Sequence, residues 1–175
     1  AQGIDRVTAD GMGMLATVIN ALALQNAIEK NGVSTRELSA IPMQTICESF
    51  IKRRAIRHLE KNRIIILAAG TGNPYFSTDT AATLRAAEMN CDVLFKGTSV
   101  DGVYESDPKL NPNSKKYSTI SYKKLLADNL KVMDSSAITL ARDNNIPMVV
   151  FSILEESSFV KAVNAEEPYT LISEK

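Results

Sequence analysis

The chain has 175 residues, 45% hydrophobic and 23% charged, with 20 basic residues balancing 20 acidic ones. That is a length and composition for one soluble globular domain with a sizeable core. Zero formal net charge argues against a nucleic-acid surface, which needs concentrated positive charge to displace counterions.

The chain opens at Ala1-Gln2-Gly3-Ile4-Asp5-Arg6 without methionine or a signal-peptide pattern, and the expectation is of a fragment whose N-terminal part is missing. Thr8–Lys30 follows as a long helix: Met14, Leu15, Val18, Ile19, Leu22 and Ile28 recur at helical spacing. Thr8 or Asp10 can cap its start, and Asn31-Gly32 ends it. Apolar residues on more than one stripe predict burial against two partners, one of them another subunit. No apolar run is expected to reach the length of a membrane span.

Residues 36–40 predict a short strand closed by Pro42, and Ser49–Lys61 a charged helix carrying His58 on its surface. Lys52-Arg53-Arg54 with Arg57 is then a solvated helix face. Cys47 and Cys91 lack metal-ligand spacing and are expected to be small buried residues in a reduced cytoplasmic setting.

Ile64-Ile65-Ile66-Leu67 predicts a strand buried on both faces. It empties through Gly70-Thr71-Gly72-Asn73-Pro74-Tyr75-Phe76-Ser77-Thr78-Asp79 into a helix over residues 80–88. Two glycines, an Asn-Pro turn and hydroxyls ahead of a helix N-terminus are the layout of an anion or nucleotide site, because unpaired N–H groups there favour negative charge. An ordinary strand-to-helix loop is the competing reading.

Beyond it, residues 92–97 predict a buried strand, followed by a polar loop from Thr98 through Pro108 to Lys116. Helices are expected over Ser121–Asp128 and Asp134–Asn144, and strands over Pro147–Phe151 and Tyr169–Ser173. This alternation predicts an α/β fold, a mainly parallel sheet covered by helices on both faces, in a single domain over residues 1–175. Ligands of such sheets collect at the carboxyl ends of strands, which the loops after Leu67 and Phe95 both leave.

Neither the P-loop pattern nor G-x-G-x-x-G occurs, and protein-kinase signatures are absent. Glycine-bearing loops, Lys96 and acids at strand ends nevertheless suit phosphoryl transfer, whose catalysis is mostly positioning and charge neutralisation.

Asp10-Gly11-Met12-Gly13-Met14-Leu15-Ala16-Thr17, the Gly70–Asp79 loop, Thr98 through Pro108 and Lys131-Val132-Met133-Asp134, in that order, resemble the bacterial uridylate (UMP) kinases of the amino-acid-kinase superfamily. The resemblance runs through essentially the whole chain. It implies ATP and UMP as substrates giving ADP and UDP in pyrimidine nucleotide synthesis, with Mg²⁺. It also implies a three-layer α/β/α sandwich and a homohexamer, activated by GTP and inhibited by UTP; no nucleic-acid or membrane partner is expected from charge and apolar-run length. By the same resemblance Asp10 binds the UMP ribose, with a helix cap as the alternative. Thr71, Gly72, Asn73, Pro74, Tyr75, Phe76, Ser77 and Thr78 form the UMP loop, core packing competing for Tyr75 and Phe76. Asp79 and Asp134 match acids needed for activity, and either can be a helix cap instead. Thr98, Tyr104 and Asp107 match ATP-binding positions, Asp107-Pro108 being equally readable as a turn. Lys96 is added as a contact to ATP phosphates, against a strand-end lysine reaching solvent.

The family's opening strand and glycine loops, which hold phosphates, have no counterpart here, so these 175 residues alone are expected to be catalytically poor. Two rivals stand beside the UMP kinase. One is a superfamily kinase for a small carboxylate or carbamate, and the other is a nucleotide-binding regulatory or assembly module.

Overall fold

The structure, a computed structural model, describes residues 3–108 and 110–174. Ala1 and Gln2 of the opening segment lie outside them. The chain divides into two compact units, Ala1–Ala81 and Ala82–Lys175.

Unit 1 opens with α1 (Arg6–Lys30) and continues through β1 (Thr35–Ser39), β2 (Glu48–Ser49), α2 (Lys52–Leu59) and β3 (Ile64–Ala68). Its sheet is entirely parallel in the order β2-β1-β3, Leu38 pairing with both Glu48 and Leu67. α1 begins two residues earlier than expected because the cap is Asp5: its Oδ1 accepts from Thr8 N–H at 3.1 Å and its Oδ2 from Thr8 Oγ at 2.6 Å. Val18 and Ala21 pack against Ala68 and Ala69, whereas Met12, Leu15, Ile19, Leu22 and Leu24 are exposed. Within unit 1, therefore, α1 buries one stripe rather than two.

Contrary to the expectation about apolar runs, α1 is long and apolar enough, by length and composition, to cross a membrane. Here it packs on β1 and β3, and its Thr17 hydroxyl accepts from Ala69 N–H at 2.8 Å at the end of β3.

Several sequence expectations change in unit 1. Ser49, expected to open the helix, instead ends β2 with Glu48, and α2 starts at Lys52. His58 is buried, not on the surface: Arg63 donates to its Nδ1 at 3.1 Å, which leaves Nε2–H to donate to Glu48 at 3.2 Å. β3 is half-buried, with Ile64 exposed, rather than closed off on both faces. Cys47 is half-buried and Cys91 of unit 2 exposed.

Glu37, on the central strand β1, is 3% exposed and neither carboxylate oxygen has a hydrogen-bond partner. Burial pushes its carboxyl above the ordinary range. A buried acid of this kind favours the protonated folded state, so stability falls as pH rises from the unfolded carboxyl's pKa, about 4.3, through the folded value. Glu37→Gln should flatten that fall and raise the neutral-pH Tm by roughly 2–4 °C for each kcal/mol relieved. Melting curves of both proteins from pH 5 to 8 check this, and parallel curves would refute it.

Unit 2 contains most of α3 (Thr78–Glu88) and then β4 (Leu94–Thr98), β5 (Val103–Tyr104), β6 (Lys116–Tyr117) and β7 (Thr119–Ile120). These lead into α4 (Tyr122–Ala127), α5 (Ser135–Asp143), β8 (Met148–Ser152), α6 (Ser158–Val163) and β9 (Thr170–Ile172). Its sheet runs β4-β8-β9-β7, with β4–β8 and β7–β9 parallel and β8–β9 antiparallel. β8 is buried at every residue. Met148 and Val150 face a core with Leu125 of α4 and Ala137 and Ala141 of α5, while Val149 and Phe151 meet Ala162 of α6. Helices therefore cover both faces of this sheet, the α/β/α layering expected from strand–helix alternation.

α6, β7 and the antiparallel hairpin β5–β6 were not foreseen from the sequence. The hairpin interrupts what reads as one polar loop; its tip is tied by Ser114 Oγ, which accepts from Ser106 N–H at 2.9 Å.

Candidate functional site

The parallel strand β3 delivers the chain into its glycine loop through three left-handed residues within four positions. Ala69 (φ 62°), Gly70 (φ 58°) and Gly72 (φ 77°) all have positive φ. At Gly72 a Cβ would meet the Ala40 carbonyl oxygen at 3.2 Å, so the loop lies against the end of β1 only because that position is glycine. Thr71 Oγ accepts from Asn73 N–H at 3.1 Å, and Asn73 Nδ2 donates to the Thr71 carbonyl at 3.3 Å, which folds the tip back on itself. Ser77 then caps α3, its Oγ accepting from Thr80 N–H at 3.0 Å.

The loop is latched to α1 by Asp10, whose Oδ2 accepts from Tyr75 N–H at 2.7 Å. Arg6 Nε donates to both Asp10 oxygens at 3.0 and 2.9 Å, and its guanidinium lies 5.5 Å from the Tyr75 ring centroid. The Tyr75 N–H first, and Arg6 second, hold the Asp10 carboxyl below its ordinary range. Asp10 is thus no helix cap. Tyr75 and Phe76 are 67% and 58% exposed, which overturns their core-packing reading.

Between α1 and this loop lies a cavity of about 210 Å³. Asp10, Thr71, Asn73, Phe76 and Thr78 line it with Gly70 of the same loop, joined by Gly13, Met14 and Thr17, which the sequence had not singled out as ligand residues. Gly13 carried a signal: glycine inside a helix costs about 1 kcal/mol relative to alanine, and here a Cβ would project into open space. Of the remaining predicted positions, Gly72 and Ser77 shape the loop, Pro74 is half-buried in its turn, and Asp79 sits in the first turn of α3.

Unit 2 holds a second cavity, of about 570 Å³, that gathers Thr98, Tyr104 and Asp107 with Gly102, Leu130 and Lys131. Asp107 also makes the turn expected of it, its carbonyl accepting from Leu110 and Asn111 N–H at 3.0 and 2.9 Å. Lys96 is half-buried within β4, two residues before Thr98, and is not among this cavity's lining residues. Asp134 lines a third cavity, of about 250 Å³, together with Lys131 and Ser135. It is also the N-cap of α5, Oδ1 accepting from Ala137 N–H at 2.8 Å. The cap reading therefore holds for Asp134, and the cap of α3 is Ser77 rather than Asp79.

A model of the amino acid kinase family matches residues 1–152. The chain belongs to the amino acid kinase family. Within that family it is 61% identical over 172 residues to the uridylate kinase of Erythrobacter litoralis, covering 98% of this chain and 72% of the relative. It is 59% identical to that of Zymomonas mobilis, with 98% and 71% covered. The crystal structure of UMP kinase from Ureaplasma parvum superposes with a TM-score of 0.95 at 42% identity, covering 98% of this chain and 73% of that one. The Bacillus anthracis UMP kinase gives 0.94 at 38%, with 99% and 72% covered.

Phosphoryl transfer is catalysed mostly by placing charges around the phosphoryl group. Among the described residues no three His, Cys, Asp or Glu side chains cluster into a metal cage.

Proposed function

We propose that this chain transfers the γ-phosphoryl group of ATP to UMP, giving ADP and UDP in pyrimidine nucleotide synthesis. A UMP phosphate oxygen forms the new bond to phosphorus as the bond to the ADP oxygen breaks. The observation that carries the reading is the latched glycine loop facing α1, in a chain similar over nearly its whole length to uridylate kinases.

In this reading Asp10 accepts from the ribose hydroxyls, and Thr71 and Asn73 meet the uracil edge, an amide offering both donor and acceptor. Thr78, at the start of α3, binds the UMP phosphate, helped by the helix dipole. Gly72, Pro74, Tyr75, Phe76 and Ser77 give the loop its shape. In unit 2, Thr98, Tyr104 and Asp107 receive ATP, with Lys96 contacting its phosphates. Asp134 orients lysines such as Lys131 around the transferring group, and Asp79 assists or contributes to Mg²⁺ binding. Mg²⁺ supplies neutralisation of charge on the ATP phosphates.

The family match extends across both compact units, which supports one amino-acid-kinase domain. Exposed apolar residues on α1 support a homo-oligomer, a hexamer by resemblance. A cytoplasmic setting, GTP activation and UTP inhibition complete the proposal.

The test is a coupled assay of ADP release by the complete gene product over a panel of acceptors. UMP should exceed CMP, and small carboxylates or carbamates, by at least about tenfold, as a site built to hydrogen-bond one base edge discriminates. Equal rates across the panel would remove the assignment. Saturable UMP and ATP binding without turnover would favour the regulatory module.

A further inference from the structure

The second cavity has a wall that the main sheet does not hold. The hairpin β5–β6 meets β9 at Thr170, a fully buried residue whose Oγ accepts from Val103 N–H at 2.9 Å and donates to the Tyr117 carbonyl. Gly102 makes this seat possible, since a Cβ there would lie 2.4 Å from that oxygen. Tyr104 follows Val103 and lines the cavity. A two-residue strand cannot by itself fix the far end of such a ring.

That end is fixed by Asp101. The Tyr104 hydroxyl donates to Oδ1 at 2.6 Å, and the Lys116 ammonium donates to Oδ2 at 2.8 Å. Lys116 is also the strand partner directly opposite Tyr104. The three residues therefore close a loop of contacts, from the Asp101 carboxylate through Tyr104 and the strand pairing to Lys116 and back. Asp101 and Lys116 have side chains about three-quarters buried, at 26% and 25% exposed, and neither is among the cavity's lining residues. Burial alone would raise the Asp101 carboxyl, but Lys116 and Tyr104 outweigh it and hold it below the ordinary range. The Tyr104 phenol, bound to that carboxylate, is pushed up to about 12. At neutral pH the network is a carboxylate with two donors.

We propose that Asp101 and Lys116 are positioning residues for ATP: they lock the ring of Tyr104 at the cavity wall without touching the nucleotide. The inference rests on the reading of this cavity as the ATP site.

A double-mutant cycle on the dissociation constant of MgATP, measured by calorimetry, tests it. Asp101→Ala should weaken ATP about tenfold, the scale of a lost hydrogen bond to a charged group. In a Tyr104→Phe background the same change should cost no more than about twofold, because both substitutions remove one interaction. Lys116→Met should weaken ATP several-fold, and UMP affinity should stay within twofold in every variant. Should Asp101→Ala melt below the assay temperature, Lys116→Met with Tyr104→Phe runs the same cycle. Equal losses in both backgrounds would assign the pair a structural role and overturn the proposal, as would an unchanged ATP constant. Saturable ATP binding without coupling removes only the positioning pair. No saturable binding to the unaltered protein removes the ATP reading of the cavity and the pair with it.

Discussion

Asp134→Asn is expected to lower kcat by about 10²–10³, the loss typical when one charge-stabilising group leaves a transition state, while the UMP dissociation constant stays within about twofold. The structure makes this substitution diagnostic. Asp134 caps α5 through the Ala137 N–H, and asparagine caps as well as aspartate. Asp134→Asn therefore keeps the cap and removes the charge. Asp134→Ala removes both, and should also cost about 1 kcal/mol of stability, or roughly 2–4 °C in Tm for a chain of this size. Turnover of the two variants, read beside their melting curves, separates charge from cap. If Asp134→Asn turns over near normally, Asp134 has no part in the chemistry and is a helix cap alone.

The two roles of Asp134 also mark where the sequence could and could not be read. Burial and pattern made β8 legible, since an unbroken apolar run behind Pro147 has few other uses, and its five residues are all buried. The Gly70–Thr78 loop was legible because glycine, asparagine and proline have backbone preferences that few contexts tolerate. What escaped was set by distant partners. His58 lies in a highly charged helix, and only Glu48 and Arg63, ten and five residues away, make its burial possible. The hairpin β5–β6 has no alternating apolar pattern because its anchor is a hydroxyl on β9, Thr170 lying 67 positions after Val103. Asp10 offered two roles from sequence; Asp5 took the cap, and the carboxylate was left for Tyr75, 65 positions on.

That latch underlies the second large effect. Asp10→Ala should raise the UMP dissociation constant by about 10- to 100-fold, since hydrogen bonds to a charged group carry that much discrimination. The loss has two sources that a second variant can separate. The carboxylate accepts directly from ribose hydroxyls in the proposed site, and it also holds the Tyr75 N–H while Tyr75 sits at φ 72°. Asp10→Asn keeps an oxygen for Tyr75 but loses the charge, so it should fall between the alanine variant and the unaltered protein. ATP affinity should not move in either, because the cavity proposed for ATP is lined by residues of unit 2. The pH dependence follows from the same contacts. With its carboxyl lowered by the Tyr75 N–H and Arg6, Asp10 favours the ionised folded state. That advantage is complete above the ordinary carboxylate pKa of about 3.9 and is lost only as pH falls through the lower folded value. The ratio of mutant to unaltered UMP constants should therefore be flat from about pH 5 to 8, whatever the nucleotide's own phosphate does. A ratio near one would leave the α1 latch a purely structural contact, and a ratio that collapses between pH 5 and 8 would place the titrating group elsewhere.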